Sequence, residues 1–207
     1  MNKKIVHDAL ILTAFTLVLG FLLGAVYEIT KEPIAAAEKA ALDEAYKVVF
    51  KDAASFEEDT EFYSGDAAGI LAGSEMPEAA EKDEITAVNK ALDASGNVLG
   101  YVINVTSHEG SQADISFSVG IQNDGTLNGY SITAISETPG LGVLVQEEPF
   151  ASQFEGKSED TYSIVKTAPT ADNQIQAVTG ATISSRAVTN GVNACLVYFR
   201  EALQGGN

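Results

Sequence analysis

The sequence predicts an α+β protein, in which a single N-terminal transmembrane helix is followed by a domain with an antiparallel sheet and flanking helices. An uncharged run of 18 residues, Ala9–Val26, is the first observation behind this prediction. The second is the alternation of apolar and polar side chains in short segments over residues 84–136, which indicates half-buried strands with a polar outer face. The third is a series of apolar side chains at helical spacing over Ser184–Leu203.

The composition excludes several classes of protein. The 207 residues include 12 Lys+Arg against 29 Asp+Glu, which gives a formal net charge of −17. We therefore expect no nucleic-acid partner, because there is no basic surface to replace the counterions of phosphate groups. One cysteine and two histidines exclude a disulfide framework and predict no metal site. Redox chemistry would then need an organic cofactor.

The apolar run predicts an uncleaved anchor in the cytoplasmic membrane. As a helix it would span about 27 Å, which is close to the thickness of the hydrocarbon core. A cleaved signal peptide is the alternative, because Ala35–Ala37 resembles a cleavage site, but the run is longer than a typical signal h-region and charged residues follow it. Lys3 and Lys4 precede the run and an acidic domain follows it. The positive-inside rule therefore predicts a single-pass chain with a cytoplasmic N-terminus and an extracytoplasmic main domain.

The composition also divides the chain into three predicted segments. Residues 1–29 form the cytoplasmic tip and the anchor, residues 30–83 a helix and an acidic connecting segment, and residues 84–207 the main domain. Strong helix formers over residues 34–51 predict the helix, and Pro33 suits its first turn or a kink.

The rest of the connecting segment, residues 52–83, contains Pro77 and several glycines and predicts a loop with one short strand near Glu61–Ser64. In the main domain, Asp93–Asn97 and Asn123–Gly125 are predicted turns between strands. On the final helix, a buried stripe is predicted at positions i, i+4, i+7 and i+11, with the lone cysteine as a core residue. This stripe consists of Val188, Val192, Cys195 and Phe199.

Two short motifs point to chemistry. The first, TGATISS at Thr179–Ser185, precedes the final helix, and its small residues let a ligand approach the backbone closely. Free N–H groups at a helix start favour a phosphate, although an ordinary turn with a Ser or Thr cap is the alternative. The second, SETPGLG at Ser136–Gly142, follows a strand and contains a turn signal. An ordinary strand-to-helix loop is the alternative for this motif.

Together, the two motifs resemble those of the FMN-binding domain family, in which ETPGLG is followed by [ST]GAT before the last helix. With the anchor and the strands, the resemblance covers essentially the whole chain. It is greatest to the G subunits of Rnf ion-translocating electron-transport complexes, and next to the C subunits of sodium-pumping NADH:quinone oxidoreductases. Family members usually carry an acidic residue three positions before [ST]GAT, and this chain has Gln176 there.

The resemblance implies a covalently bound FMN. In the family, a flavin transferase joins the FMN phosphate to the hydroxyl of the last threonine of [ST]GAT, which is Thr182 here. The loop around the phosphate would consist of Thr179, Gly180 and Ala181. The residues that would flank the flavin ring are Glu137, Thr138, Pro139, Gly140 and Leu141. Lys166 is either a further contact or a solvated lysine at a strand end.

The leading functional hypothesis is an electron-transfer subunit that is not catalytic alone. It would carry covalent FMN in a membrane complex that couples ferredoxin and NAD oxidoreduction to ion translocation. Its expected partners are the other membrane and redox subunits, a flavin transferase and the lipid bilayer. The alternatives are a C subunit of a sodium-pumping NADH:quinone oxidoreductase, a stand-alone extracytoplasmic flavin reductase anchored in the membrane, and a flavin-free interaction domain.

Overall fold

The computed structural model describes residues 3–76 and 79–204. Pro77, which falls in the predicted loop, lies outside the described residues, as do the first residues of the predicted tip and the last of the main domain. The chain divides into two compact units, residues 1–41 and residues 42–207. The division into three segments stays a prediction.

Helices and strands follow one another in chain order. The helices are α1 Lys3–Val49, α2 Ser64–Gly73, α3 Ala79–Lys82, α4 Glu148–Ala151 and α5 Thr182–Tyr198. The strands are β1 Ser55–Glu58, β2 Asp83–Leu92, β3 Val98–Ser107, β4 Ile115–Gln122, β5 Leu127–Ile135, β6 Ser163–Val165 and β7 Gln174–Gln176. Two 3₁₀ segments, Gly142–Gln146 and Ser152–Phe154, flank α4, and a π-helical turn, Phe199–Leu203, follows α5.

The first unit consists of the N-terminal part of α1. Among the described residues, α1 is the one helix that is long and apolar enough to cross a membrane, judged by length and composition. It contains the predicted span Ala9–Val26, whose side chains are mostly exposed. Pro33 lies inside the continuous helix. Of the two places expected for Pro33, the first turn of a separate helix is therefore wrong, and a position inside a helix, where proline favours a kink, is the one that the structure has.

The second unit is built on a five-stranded antiparallel meander with the strand order β1-β2-β3-β4-β5. The prediction of antiparallel strands over residues 84–136 is confirmed. Both predicted turns join neighbouring strands, and Gly96 and Gly125 adopt φ values of +82° and +88° there. A separate two-stranded parallel sheet pairs β6 with β7.

One face of the meander packs against α5. The predicted stripe is buried, since none of its four side chains is more than 1% exposed: Val188, Val192, Cys195 and Phe199. Gly191 allows the close approach of helix and sheet, because a Cβ atom there would lie 2.6 Å from Phe117 Cζ. The sheet and α5 thus form the main core and fix the start of α5 relative to the strand ends.

The other face of the sheet is covered as well, which corrects the expectation of a solvated polar face. Tyr46 and Val49, in the last turn of α1, pack against Ala91 and Val102. The Tyr46 hydroxyl accepts a hydrogen bond of 2.7 Å from the amide of Asn104. Polar side chains on this face are therefore paired inside the protein rather than with water.

The connecting segment differs from its prediction. Strand β1 lies at Ser55–Glu58 and pairs with β2, so the predicted strand near Glu61–Ser64 is wrong. Two helices, α2 and α3, occupy much of the predicted loop. Ala67 and Leu71, one turn apart on α2, are both 1% exposed. Burial of this stripe outweighs the low helix propensity of the glycines around it.

Candidate cofactor site

Two matched β-turns form the rims of one cleft. In each turn the N–H of the fourth residue donates to the carbonyl of the first, at 3.1 Å in Thr138–Leu141 and at 3.0 Å in Val178–Ala181. The third residues are Gly140 and Gly180, with φ values of +74° and +81°. A positive φ at the third position defines a type II turn and favours glycine. Each sequence motif thus supplies a glycine where its turn requires one.

Helix α5 begins directly after the second turn, and no side chain among the residues that the structure describes caps it. The N–H of Ser185 donates to the carbonyl of Ala181 at 2.9 Å. The N–H groups of Thr182, Ile183 and Ser184 therefore precede the first hydrogen bond of the helix. Such N–H groups and the positive end of the helix dipole suit an anion such as a phosphate group.

The hydroxyl groups of this motif differ in availability. Ser184 is 1% exposed and donates to Glu137 Oε2 at 3.1 Å. Ser185 is buried, and its hydroxyl is held by backbone groups of the preceding turn. Thr182 is partly exposed and Thr179 exposed, and neither hydroxyl makes a hydrogen bond within the described part of the chain. The two threonine hydroxyls are therefore the accessible ones.

Glu137 lies beneath the cleft. Its side chain is 7% exposed. Besides the bond from Ser184, its carboxylate accepts a hydrogen bond of 3.1 Å from the N–H of Gln112. The loop at residues 108–114, which precedes β4, therefore reaches the same site as the two motifs.

The cleft has a volume of about 250 Å³. Pockets that enclose a whole small-molecule ligand measure about 300–1,000 Å³, so this cleft has room for part of a cofactor. The predicted site residues that line it are Glu137, Thr138, Leu141, Gly180, Ala181 and Thr182. The structure therefore brings the two motifs together.

Four predicted site residues do not line the cleft. Thr179, Pro139 and Gly140 are exposed in the turns that form its rims. Lys166 is exposed and comes directly after β6, which pairs with β7 just upstream of the second motif. This places Lys166 alongside the segment that leads into the cleft.

The cleft is also lined by four residues outside the predicted set of site residues: Ser111, Gly142, Ile183 and Ser184. Three of them lie within the two motifs, so the motif sequences already indicated this part of the site. Ser111 comes from the loop at residues 108–114, whose approach to the two motifs depends on the tertiary fold.

Two family models match the chain. Residues 110–197 match the FMN-binding domain, and residues 1–49 match the RnfG N-terminal region. The first match contains both turns, the residues that line the cleft and almost all of α5.

Named relatives are similar over much of the chain. The G subunit of the ion-translocating oxidoreductase complex of Methanosarcina acetivorans is 30% identical over 95% of each chain. The G subunit of the proton-translocating ferredoxin:NAD(+) oxidoreductase complex of Clostridium ljungdahlii is 32% identical over 87% of this chain and 84% of its own. The G subunit of the Na(+)-translocating ferredoxin:NAD(+) oxidoreductase complex of Acetobacterium woodii is 36% identical over 52% of each chain.

Proposed function

The chain belongs to the family of G subunits of ion-translocating oxidoreductase complexes, and from this membership we propose that it carries FMN as an electron-transfer subunit of a membrane-bound ferredoxin:NAD oxidoreductase complex. The observation that carries the proposal is identity of 30% and 32% to two such subunits over most of both chains. The match to the RnfG N-terminal region favours this family over the C subunits of sodium-pumping NADH:quinone oxidoreductases. Since one relative is named for Na⁺ and another for protons, the proposal leaves the ion open.

The residues of the cleft fit the phosphate end of FMN. The uncapped start of α5 offers backbone N–H groups to a dianion, and Gly180 and Ala181 leave the backbone open to close approach. A cleft of about 250 Å³ would hold only part of FMN, so a neighbouring redox centre would have access to the rest. When bound, flavin supplies both one- and two-electron chemistry.

We further propose that FMN is attached covalently to Thr182. Of the hydroxyls in the second motif, that of Ser184 is buried and donates to Glu137. Thr182 combines a partly exposed hydroxyl with a position beside the free N–H groups of α5. Thr179 is the remaining alternative attachment site, because it is exposed in the turn.

The attachment requires a separate flavin transferase and a flavin dinucleotide as donor. Thr182 Oγ forms a bond to the phosphorus of the flavin half, and the phosphoanhydride bond breaks. The nucleoside monophosphate leaves, and the hydroxyl proton passes to a base of the transferase. A tethered cofactor suits a carrier whose cleft encloses only part of it, because the redox group cannot diffuse away.

The proposed location is the cytoplasmic membrane. The N-terminal part of α1 would cross the bilayer, with the N-terminus in the cytoplasm and the main domain outside the cell membrane. The partners would be the lipid bilayer and the other membrane and redox subunits of the complex. Co-purification with several multi-span subunits would distinguish this role from that of a stand-alone flavin reductase.

The test is the flavin content of the denatured full chain after co-expression with a flavin transferase. Trypsin releases the peptide Thr167–Arg186, which contains every hydroxyl of the motif, and mass spectrometry locates the added group. Thr182→Val removes the hydroxyl and keeps the β-branched shape, so covalent flavin should be lost. Thr179→Val is the matched control and should retain it.

Two results would count against these proposals in different ways. Unmodified wild-type peptide in the presence of an active transferase would contradict covalent FMN. Flavin found on Thr179 or Ser184 would retain the cofactor but contradict Thr182 as its site.

A further inference from the structure

The carboxylate of Glu137 joins three segments that are far apart in the sequence. Its Oε1 atom accepts a hydrogen bond from the N–H of Gln112, and its Oε2 atom accepts one from Ser184 Oγ, both at 3.1 Å. The first partner lies in the loop before β4, and the second in the first turn of α5. Glu137 itself directly precedes the turn Thr138–Leu141, which forms the opposite rim of the cleft.

Two glycines make room for this carboxylate. A Cβ atom on Gly142 would lie 2.4 Å from Glu137 Oε2 and 2.8 Å from Ser184 Oγ. A Cβ atom on Gly110 would lie 3.0 Å from Glu137 Oε1, and closer still to the carbonyl oxygen of Ala113. A larger residue at Gly142 would thus displace the glutamate side chain, whereas at Gly110 it would first displace the Ala113 carbonyl and press on the glutamate only slightly.

The Glu137 side chain is buried without a cationic partner among the residues that the structure describes. Within the part of the chain that the structure describes, this side chain forms no ion pair. A buried carboxylate needs hydrogen-bond donors or a favourable dipole to offset its lost hydration. The Gln112 N–H and the Ser184 hydroxyl supply two donors, and the start of α5 supplies the positive end of its dipole. These interactions together hold the first turn of α5 against the rim.

We propose that Glu137 is a positioning residue for the cofactor: by holding Ser184 and Gln112, it fixes the first turn of α5 and hence the Thr182 hydroxyl at the cleft. This inference rests on the proposed function. It assigns Glu137 a place beneath the cleft, in contrast to the place beside the flavin ring that the family resemblance implies. Ser184, two residues after Thr182, transmits the effect.

Different substitutions distinguish the effect of the Glu137 hydrogen bonds from the effect of its negative charge. Glu137→Ala removes both hydrogen bonds. Glu137→Gln keeps an acceptor oxygen for the Gln112 N–H, and its amide can donate to Ser184 Oγ, so the link persists while the charge is lost. Ser184→Ala breaks the link to α5 and leaves the glutamate in place. Glu147→Ala is the matched control, because Glu147 is an exposed glutamate outside the lining of the cleft.

The experiment uses the full chain in detergent with a flavin transferase and a flavin dinucleotide, and it measures the initial rate of flavin attachment. A displaced reacting group costs on the order of 10- to 100-fold in rate, so we expect losses of that size for Glu137→Ala and Ser184→Ala. Glu137→Gln and Glu147→Ala should label at nearly the wild-type rate. The double variant, Glu137→Ala with Ser184→Ala, should label no more slowly than Glu137→Ala alone, because both changes break one link.

Two further measurements separate positioning from a general loss of fold. Amide hydrogen exchange on the flavin-free chain should accelerate in Glu137→Ala at Ser185, whose N–H makes the first hydrogen bond of α5, with the strands unchanged. In labelled Glu137→Gln the midpoint potential of the flavin should shift upward, because a negative charge near the cofactor disfavours reduction. If Glu137→Ala fails to fold, Ser184→Ala still tests the link.

Wild-type attachment rates in folded Glu137→Ala and in Ser184→Ala would overturn the inference. Absence of flavin from the wild-type chain as well would instead overturn the proposed function, so the two failures are distinguishable.

Discussion

Gly180 faces Leu141 across the cleft, and a Cβ atom on Gly180 would lie 3.1 Å from Leu141 Cδ2. The two rims of the cleft therefore meet at a glycine of one turn and the last residue of the other. Gly180 also has a φ of +81°. Gly140 has a φ of +74°, but a Cβ atom there would meet no other described residue within 4 Å beyond its chain neighbours. Substitution of Gly140 would therefore introduce backbone strain alone, whereas substitution of Gly180 would introduce both strain and a close contact.

Substitution of these glycines should have graded effects. Gly140→Ala introduces strain alone and should lower the free energy of unfolding by about 1–2 kcal/mol. Gly180→Ala adds the contact with Leu141, so its cost should be larger, and the proposed attachment predicts a lower content of covalent flavin. Urea unfolding of the full chain in detergent and flavin fluorescence of the denatured protein measure the two effects.

Gly69→Ala is the control for this pair. Gly69 lies in α2 with open space around it, so alanine should stabilise the protein by about 0.5–1 kcal/mol. Equal losses for Gly140→Ala and Gly180→Ala would show that contact across the cleft has no energetic consequence.

The sequence predicted those helices and strands in which apolar side chains recur at a regular spacing along the whole element. Alternation over residues 84–136 indicated the strands, and one apolar stripe indicated α5. The prediction for residues 52–83 was wrong because the glycines there indicated a loop. The segment forms a helix because Ala67 and Leu71 are buried against the rest of the core, and a local sequence pattern does not reveal such burial. The cover of the outer sheet face was missed for the same reason, since it comes from the last turn of α1.

The site was predictable in part. Gly140 and Gly180 lie in local turns, and local sequence is sufficient to indicate them. The hydrogen bonds of Glu137 join it to Gln112 and Ser184, 25 and 47 residues away in the chain. Such pairings depend on the tertiary fold, and no spacing within a motif indicates them.

Phe199 should be a major determinant of stability. Its side chain is 1% exposed, and its ring lies 6.0 Å from that of Tyr101 in an edge-on arrangement. Phe199→Ala should lower the free energy of unfolding by about 3–5 kcal/mol, because it leaves a cavity between α5 and the sheet. Near-ultraviolet circular dichroism during urea unfolding measures this change. Tyr63→Ala, at a side chain that is 66% exposed, is the control and should change stability by less than about 0.5 kcal/mol.

The proposed topology predicts where protease acts. Protease added to intact spheroplasts should digest the acidic main domain, because the positive-inside rule places it outside the cytoplasm. A cytoplasmic marker protein should survive the same treatment. Full protection of the domain would contradict the orientation. A mature chain that begins after Ala37 would contradict the uncleaved anchor.

Asp83 should make stability depend on pH. It is 3% exposed at the start of β2, and neither carboxylate oxygen has a hydrogen-bond partner among the residues that the structure describes. Burial raises the pKa of this carboxyl group to about 7, against opposing effects of the Ser107 hydroxyl, His108 and Lys82, and Glu109 adds to the rise. Because this pKa exceeds the ordinary value of 3.8, the folded state binds the proton more tightly. The free energy of unfolding should therefore fall as the pH rises from about 4 to about 7, and stay low above it.

Asp83→Asn removes this titration and keeps the shape of the side chain. The variant and the wild type should have similar free energies of unfolding near pH 3, where the wild-type carboxyl is protonated in the folded state and mostly protonated in the unfolded state. At pH 8 the variant should be more stable by up to roughly 4 kcal/mol, since each pKa unit corresponds to about 1.4 kcal/mol.

Asp93→Asn is the contrasting variant. It should be less stable than the wild type at pH 8, because hydrogen bonds from the side chain and backbone of Asn97 lower the pKa of Asp93. Urea unfolding at both pH values measures these differences, and a constant difference between wild type and Asp83→Asn would show that Asp83 ionises in the folded protein without cost.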